Sequence, residues 1–196
     1  MNEILVLYYS RFGATEALAR EVCLGIDTVT AATSRLRTVP ALSALTATPD
    51  IDPPEKGPPY VIAKDLHECG GLVMGSPTRF GNMAAPLKHF IDSTGTEWVK
   101  GTLNSKPAGV FTSTSTLHGG QETTLLTMAL PLLHHGMLLV GIPFTESALS
   151  STRTGGSPYG ASHVTWNRDA DYLSDEERKV ARALGTRVAS LAVKLS

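Results

Sequence analysis

The chain has 196 residues, 42% of them hydrophobic, and its 17 basic and 18 acidic side chains leave a formal charge of −1. That length supports one domain with a short insertion, burying roughly two-thirds of its unfolded surface. Charges spread this evenly form no basic stripe for a nucleic-acid backbone, so nucleic-acid binding finds no support.

The opening MNEILVLYYS carries one carboxylate and then a six-residue apolar run. The run is too short for a signal core or a membrane span, and a cytoplasmic protein is expected. Strands buried on both faces are expected at Ile4–Tyr9, Arg35–Val39, Gly71–Gly75, Pro107–Thr114 and Met137–Ile142. Helical spacing runs from Ala14 to Ile26, with Leu18, Val22 and Ile26 on one face. A second helix starts near Ala84, where Pro86 suits a first turn, and a third covers Gln121–His135, distorted at Pro131. Ser174-Asp-Glu-Glu177 is a capping box, followed at helical spacing by Val180, Leu184, Val188, Leu191 and Leu195. Strands alternating with helices predict a doubly wound α/β fold with a five-stranded parallel sheet of order 2-1-3-4-5 and helices on both faces. Outside that minimum lie a proline-rich insertion near 47–60 and a long loop near 151–167. Cys23 and Cys69 form no C-x-x-C, so free thiols are expected rather than a disulfide framework or a zinc site.

In such a sheet ligands bind beyond the carboxyl ends of the strands, where the strand order reverses. The segments leaving strands one, three and four are Ser10–Thr15 (SRFGAT), Ser76–Asn82 (SPTRFGN) and Ser113–Gly120 (STSTLHGG), each dense in Ser, Thr and Gly. The first passes from strand to helix, so free amides and hydroxyls suit a small phosphate there, while an ordinary helix cap remains the alternative. It matches neither G-x-x-x-x-G-K-S/T nor G-x-G-x-x-G, which counts against Walker nucleotides and Rossmann dinucleotides. In the second, backbone amides of Thr78 to Asn82, released from ladder pairing by Pro77 and Gly81, suit the polar edge of a flat heterocycle, with Arg79 or Phe80 beside its face. A solvent loop anchored by the Phe is the alternative. The three loops hold Arg11, Arg79 and His118 and no Asp or Glu, a neutral-to-positive setting for whatever binds there.

The motifs LVLYYSRFG, GSPTRFGNM, FIDSTGTEW, GGQETT, HHGM, GGSPYGA and LAVKL together resemble the WrbA family of flavodoxin-like NAD(P)H:quinone oxidoreductases over essentially the whole chain. The resemblance implies noncovalent FMN with its phosphate in the turn formed by Ser10, Arg11, Phe12, Gly13, Ala14 and Thr15. Around the flavin it places Pro77, Thr78, Arg79, Phe80, Gly81 and Asn82 and the loop of Ser113, Thr114, Ser115, Thr116, Leu117, His118, Gly119 and Gly120, with His134 reaching the cofactor. Phe12, Trp98 and His118 border the substrate space. The implied reaction is ping-pong, NADH or NADPH reducing the flavin and a quinone then taking two electrons, in a homotetramer. No residue is assigned an acid–base or covalent role. Phe12 stands where many relatives carry tyrosine, and Val164–Leu173 lacks a Gly-Ser-Arg-x-Pro stretch common among them. Adjacent His134 and His135 point about 100° apart on a helix with no carboxylate a turn away, so no metal is expected. A flavin-bound regulator or electron carrier acting through a protein partner is the alternative class.

Overall fold

Strands that are apolar on both sides require cover on both sides, and the computed structural model, which describes residues 1–42, 57–166, 169 and 171–196, supplies it. In chain order the elements are β1 (Asn2–Tyr8), α1 (Ala14–Ile26), β2 (Ala32–Thr38), α2 (Ala63–Glu68), β3 (Gly71–Arg79), β4 (Asn82–Met83) and α3 (Ala85–Asp92). There follow α4 (Gly95–Val99), β5 (Pro107–Thr114), α5 (Gln121–His134), β6 (Leu138–Leu139), α6 (Ala148–Ser151), β7 (Ala161–Val164) and α7 (Asp175–Leu195).

The parallel sheet runs β2-β1-β3-β5 and then β6, with β7 also on β5 and β4 turned back antiparallel on β3. The expected order 2-1-3-4-5 therefore describes the main strands, but the fifth position is shared. Leu138 and Leu139 pair only with Pro107 and Ala108, whereas Phe111–Thr114 pair with Ala161–Val164. Met137–Ile142 is thus not one continuous strand, and the expected loop near 151–167 contains α6 and β7. Four residues, Ala-Ser-His-Val, ending a Gly-rich stretch gave too short a periodic signal to separate from loop. Of the proline-rich insertion, residues 47–56 lie outside the described residues. Its end is tied to the sheet, Thr38 N donating to Pro59 O at 3.2 Å and Val61 N to Thr38 O at 2.9 Å.

Alternation along β1 divides the core. Ile4, Val6 and Tyr8 join α1 and α7 on one face, and Leu5 and Leu7 join the α2, α3 and α5 residues Leu66, Leu87, Leu125, Met128 and Leu132 on the other. The short α2 has no apolar period to reveal it. It is held by Asp65, whose Oδ2 accepts from Ile62 N at 2.9 Å and whose carboxylate meets Arg35 and Arg37 of β2 at 3.1 and 3.2 Å. Pro131 lies inside α5, which continues through it to His134. At the start of α7 the capping box forms as expected, Glu177 N donating to Ser174 Oγ at 3.2 Å and Ser174 N to Glu177 Oε2 at 2.9 Å. Cys23 and Cys69 are free. Among the described residues no helix is long and apolar enough to cross a membrane.

β3 extends past its neighbours and reverses at Phe80-Gly81, with Arg79 paired to Asn82 and Thr78 to Met83. Both turn residues have positive φ, 53° and 78°, the two-residue hairpin geometry whose first position favours Asn over Phe. This corrects the expectation that the amides of Thr78–Asn82 are released from pairing: Pro77 stays in register with Ser113, and Arg79 and Asn82 are ladder partners. The hairpin leaves the Phe80 ring fully exposed at the sheet's carboxyl edge.

Helices α1 and α7 touch backbone to backbone. A Cβ on Gly185 would lie 2.2 Å from Val22 O, and one on Gly25 would lie 2.1 Å from Arg182 O. Beside this crossing the largely buried carboxylate of Glu21 receives Arg178 Nη1 at 2.8 Å and Arg182 Nε at 2.6 Å. Gly185→Ala forces the helices apart and is expected to cost about 1–3 kcal/mol, as overpacked cores do. Urea unfolding would show it as a lower midpoint at unchanged slope, and an unaltered midpoint would refute the close crossing.

Candidate functional site

The chain leaves β1 at Tyr8 and turns through Ser10–Gly13 into α1. Ser10 Oγ accepts from Gly13 N at 3.1 Å, and Gly13 takes a φ of 94° that a side chain would oppose. Ser10 therefore does serve as a turn-closing residue, while the amides of the first turn of α1 have no partners within the helix and face outward at its positive end. Thr15 is 1% exposed, and its Oγ1 shares a 2.8 Å hydrogen bond with Ser113 Oγ, 98 residues away on β5. The Arg11 guanidinium lies 5.1 Å from the centre of the Phe12 ring, which is itself largely exposed.

The hairpin of β3 and β4 is seated on the start of α5. Thr78 Oγ1 and Thr124 Oγ1 share a 2.7 Å hydrogen bond, and Thr127 Oγ1 donates to Gly81 O at 3.2 Å. Arg79 folds back, its Nη1 donating to Thr78 O at 2.7 Å. In the loop after β5, Thr114 Oγ1 donates to Thr116 O at 2.8 Å, and Gln121 Nε2 donates to Leu117 O at 2.8 Å. Gln121 Oε1 in turn accepts from Ser162 Oγ of β7 at 2.5 Å, so one amide fixes the loop and the added strand together. This gives GGQETT a physical meaning that spacing alone did not: its Gln and Thr side chains hold the two loops on either side of it.

These loops enclose a hollow of about 360 Å³ lined by Ser10, Arg11, Phe12, Ala14, Thr15, Pro77, Thr78, Arg79, Ser113, Thr114, Ser115 and Thr165. The volume is within the range of small-ligand sites. Eleven of these residues come from the three segments singled out in sequence. Thr165 does not: it arrives with β7 at the end of the long loop noted near 151–167, its amide donating to Thr114 O at 3.0 Å. Among the described residues the lining carries two guanidinium groups and no carboxylate. Hydroxyls, a helix N-terminus and cations fit an organic phosphate carrying a polar, uncharged body.

The remaining residues singled out in sequence are not part of that lining. Phe80, Gly81 and Asn82 form the hairpin tip, and Thr116, Leu117, His118, Gly119 and Gly120 form the outer loop before α5. His134 and Trp98 are elsewhere. α5 starts at the carboxyl edge of the sheet and returns to the opposite edge, where Leu138 pairs with Pro107. Its 14 residues put His134 about 20 Å from its start. Trp98 of α4 is there too, with Nε1 donating to His134 O at 2.8 Å. Both side chains are exposed. His135 is buried, Nε2 within 3.0 Å of Thr94 Oγ1, and burial lowers its pKa. No cluster of three metal-ligating side chains occurs among the described residues.

Comparison with known proteins shows the family and the fold. The family model for NADPH-dependent FMN reductase matches residues 10–146. A protein of Solidesulfovibrio magneticus named NAD(P)H dehydrogenase (quinone) is 38% identical over 201 residues, covering 98% of each chain. Among solved structures, a flavodoxin, WrbA-like protein from Agrobacterium tumefaciens superposes with a TM-score of 0.68 at 22% identity, covering all of both chains. An archaeal flavodoxin does so with a TM-score of 0.63 at 17% identity, covering 97% of this chain and 99% of that one. The fold is thus flavodoxin-like, and on the strength of the family match and the full-length relative the chain belongs to the NADPH-dependent FMN reductase family.

Proposed function

We propose that residues 1–196 form one FMN-binding domain of a cytoplasmic, flavin-dependent NAD(P)H:quinone oxidoreductase of the WrbA type. The observation that carries this reading is the hollow in which three hydroxyl-rich loops and the N-terminus of α1 converge without a carboxylate. Family membership supports FMN as the bound group and NADH or NADPH as its reductant, and the name of the 38% identical relative supports quinones as acceptors.

In this assignment Thr15, Ser10 and the first amides of α1 bind the phosphate. Thr78, Arg79, Phe80 and the Ser113–Gly120 loop hold the ring system. Bound FMN supplies a centre that accepts two electrons from one substrate and passes them to another. Arg11 and Arg79 keep the surroundings positive, which favours negative charge on whatever occupies the hollow. Phe12, exposed beside the opening, offers an apolar face to a flat substrate, and His118 on the outer loop is assigned as a donor to a quinone oxygen.

His134 and Trp98 cannot serve the hollow of their own chain from the opposite sheet edge. Their assigned roles therefore belong to the site of a neighbouring copy, as a homotetramer provides. The surface beside them suits such contact: Leu126, Leu130 and Leu133 repeat along the outer side of α5, and Leu138 and Leu139 of β6 continue the apolar face, all substantially exposed in the single chain.

Three measurements test this reading. The purified protein is expected to carry yellow FMN released on denaturation, and to oxidise NADH or NADPH with benzoquinone giving parallel double-reciprocal lines; oxidation no faster than with free flavin would overturn the enzyme assignment. Ser10→Ala with Thr15→Ala is expected to weaken FMN binding by about 1–3 kcal/mol, the usual worth of hydrogen bonds to a charged group, and riboflavin binding by much less. Equal losses for both flavins would move the phosphate elsewhere. Leu130→Glu is expected to shift the light-scattering mass to a smaller assembly and to lower quinone turnover. A native tetrameric mass and full turnover in this variant would remove α5 from the interface.

A further inference from the structure

Behind the hollow lies a buried pair that the proposed redox role leaves unused. His163 of β7 and Glu177 of α7 have side chains 2% and 1% exposed, and His163 Nδ1 is 2.9 Å from Glu177 Oε2. Glu177 is well supplied with donors. Its Oε1 accepts from Gly155 N and Val164 N at 3.0 Å each, and its Oε2 also accepts from Ser174 N at 2.9 Å. Burial works against its charge, but the bond from His163 and the backbone amides prevail and hold its pKa below the usual carboxylate range. A carboxylate only accepts, so His163 Nδ1 carries a proton and donates it. The other ring nitrogen, Nε2, is buried without a hydrogen-bond partner. Buried polar atoms are rarely left that way.

The neighbour of His163 on β5 is Ser113, its partner in register. Parallel strands lie about 4.8 Å apart, and both side chains point to the α1–α7 face, since Ser113 bonds Thr15 of α1 and His163 bonds Glu177 of α7. Glu177, His163, Ser113 and Thr15 therefore follow one another toward the hollow, which the last two line. The Thr15–Ser113 bond can run in either direction.

We propose that His163 is a positioning residue for the cofactor phosphate, aligning the Ser113 and Thr15 hydroxyls as donors by taking up one proton at Nε2 when a phosphate dianion binds. The proposal rests on the FMN reading above. A dianion only accepts. For Thr15 to donate to it, Thr15 Oγ1 takes its own hydrogen bond from Ser113, which frees a lone pair on Ser113 Oγ. Protonated Nε2 of His163 is the donor that fills it. The proton comes from solvent and no covalent bond between heavy atoms changes; the resulting imidazolium stands between the Glu177 carboxylate and the phosphate. Few other charges face the ring. β5 contributes only hydroxyl and apolar side chains beside it. On α7, Arg178 is turned to Glu21 of α1, where Arg182 joins it. Across the hollow stand Arg11 and Arg79.

Calorimetry in two buffers of different ionisation enthalpy tests this at about pH 7.5, where a phosphate monoester is a dianion and an ordinary imidazole is neutral. FMN binding to the native protein is expected to take up most of one proton, and riboflavin binding none. His163→Gln, which keeps a donor toward Glu177, is expected to abolish the uptake and weaken FMN roughly tenfold while leaving riboflavin nearly unchanged. A merely structural role would weaken both flavins alike. Nitrogen-15 NMR of the native protein provides the same reading without a variant: FMN, and not riboflavin, should convert His163 Nε2 from bare to protonated. FMN binding with no proton uptake and an unchanged Nε2 signal would overturn this proposal and leave the FMN site standing, whereas a protein that binds no FMN would overturn both.

Discussion

In register, Tyr8 of β1 lies beside Gly75 of β3, Gly75 beside Phe111 of β5, and Phe111 beside Ala161 of β7. Everything this chain offers to a ligand follows from that alignment. Parallel strands pointing the same way send each following segment out over the same edge, and right-handed crossovers return the helices to the two faces. The alignment needs Gly75 to be bare: a Cβ there would lie 2.1 Å from the Phe111 ring, which occupies the sheet face instead. Gly25 and Gly185 serve a matching purpose beneath it, letting α7 lie directly on α1.

The sequence was most informative where one residue type has one physical use. Unbroken apolar runs identified β1, β3 and β5, and the capping box located α7, because burial and cap chemistry leave local traces. Three Ser/Thr/Gly segments pointed to the hollow for the same reason. What escaped notice depends on partners distant in sequence. α2 is a single turn and a half whose stability comes from Arg35 and Arg37 meeting Asp65 across the sheet edge. β7 has four residues whose pairing is specified by the open half of β5, and with it came Thr165 and His163. SPTRFGN shows a subtler failure. Its residue types did mark a special turn, but Phe at a position that prefers Asn concealed a two-residue hairpin, so paired amides were read as free ones.

Phe80 illustrates how such a local conflict is resolved. A bulky residue at φ 53° costs on the order of 1 kcal/mol or more, and the ring gains nothing back from packing, since it is fully exposed. The surroundings hold it there through Thr78–Thr124 and Thr127–Gly81, two hydroxyl contacts from α5 that fix the turn from below. The strain is thus carried by the anchoring of the turn to α5, at the tip of a hairpin whose base, Pro77 to Arg79, lines the cationic, carboxylate-free hollow.

The divided fifth strand carries the same logic to the edge of the sheet. A continuous strand along β5 would satisfy its hydrogen bonds and place no new chemistry at the rim. Instead β6 covers only the first two residues and leaves, and the chain returns twenty-two residues later as β7 to pair the last four. That detour brings a threonine into the lining and a histidine behind it, and it anchors both through Glu177, whose carboxylate binds Gly155, Val164, His163 and Ser174 at once. Removing that carboxylate would therefore release the detour, the strand and the helix cap together. A single buried acid thus couples the folding of the C-terminal third of the chain to the geometry of a site whose other walls are built by the first two-thirds.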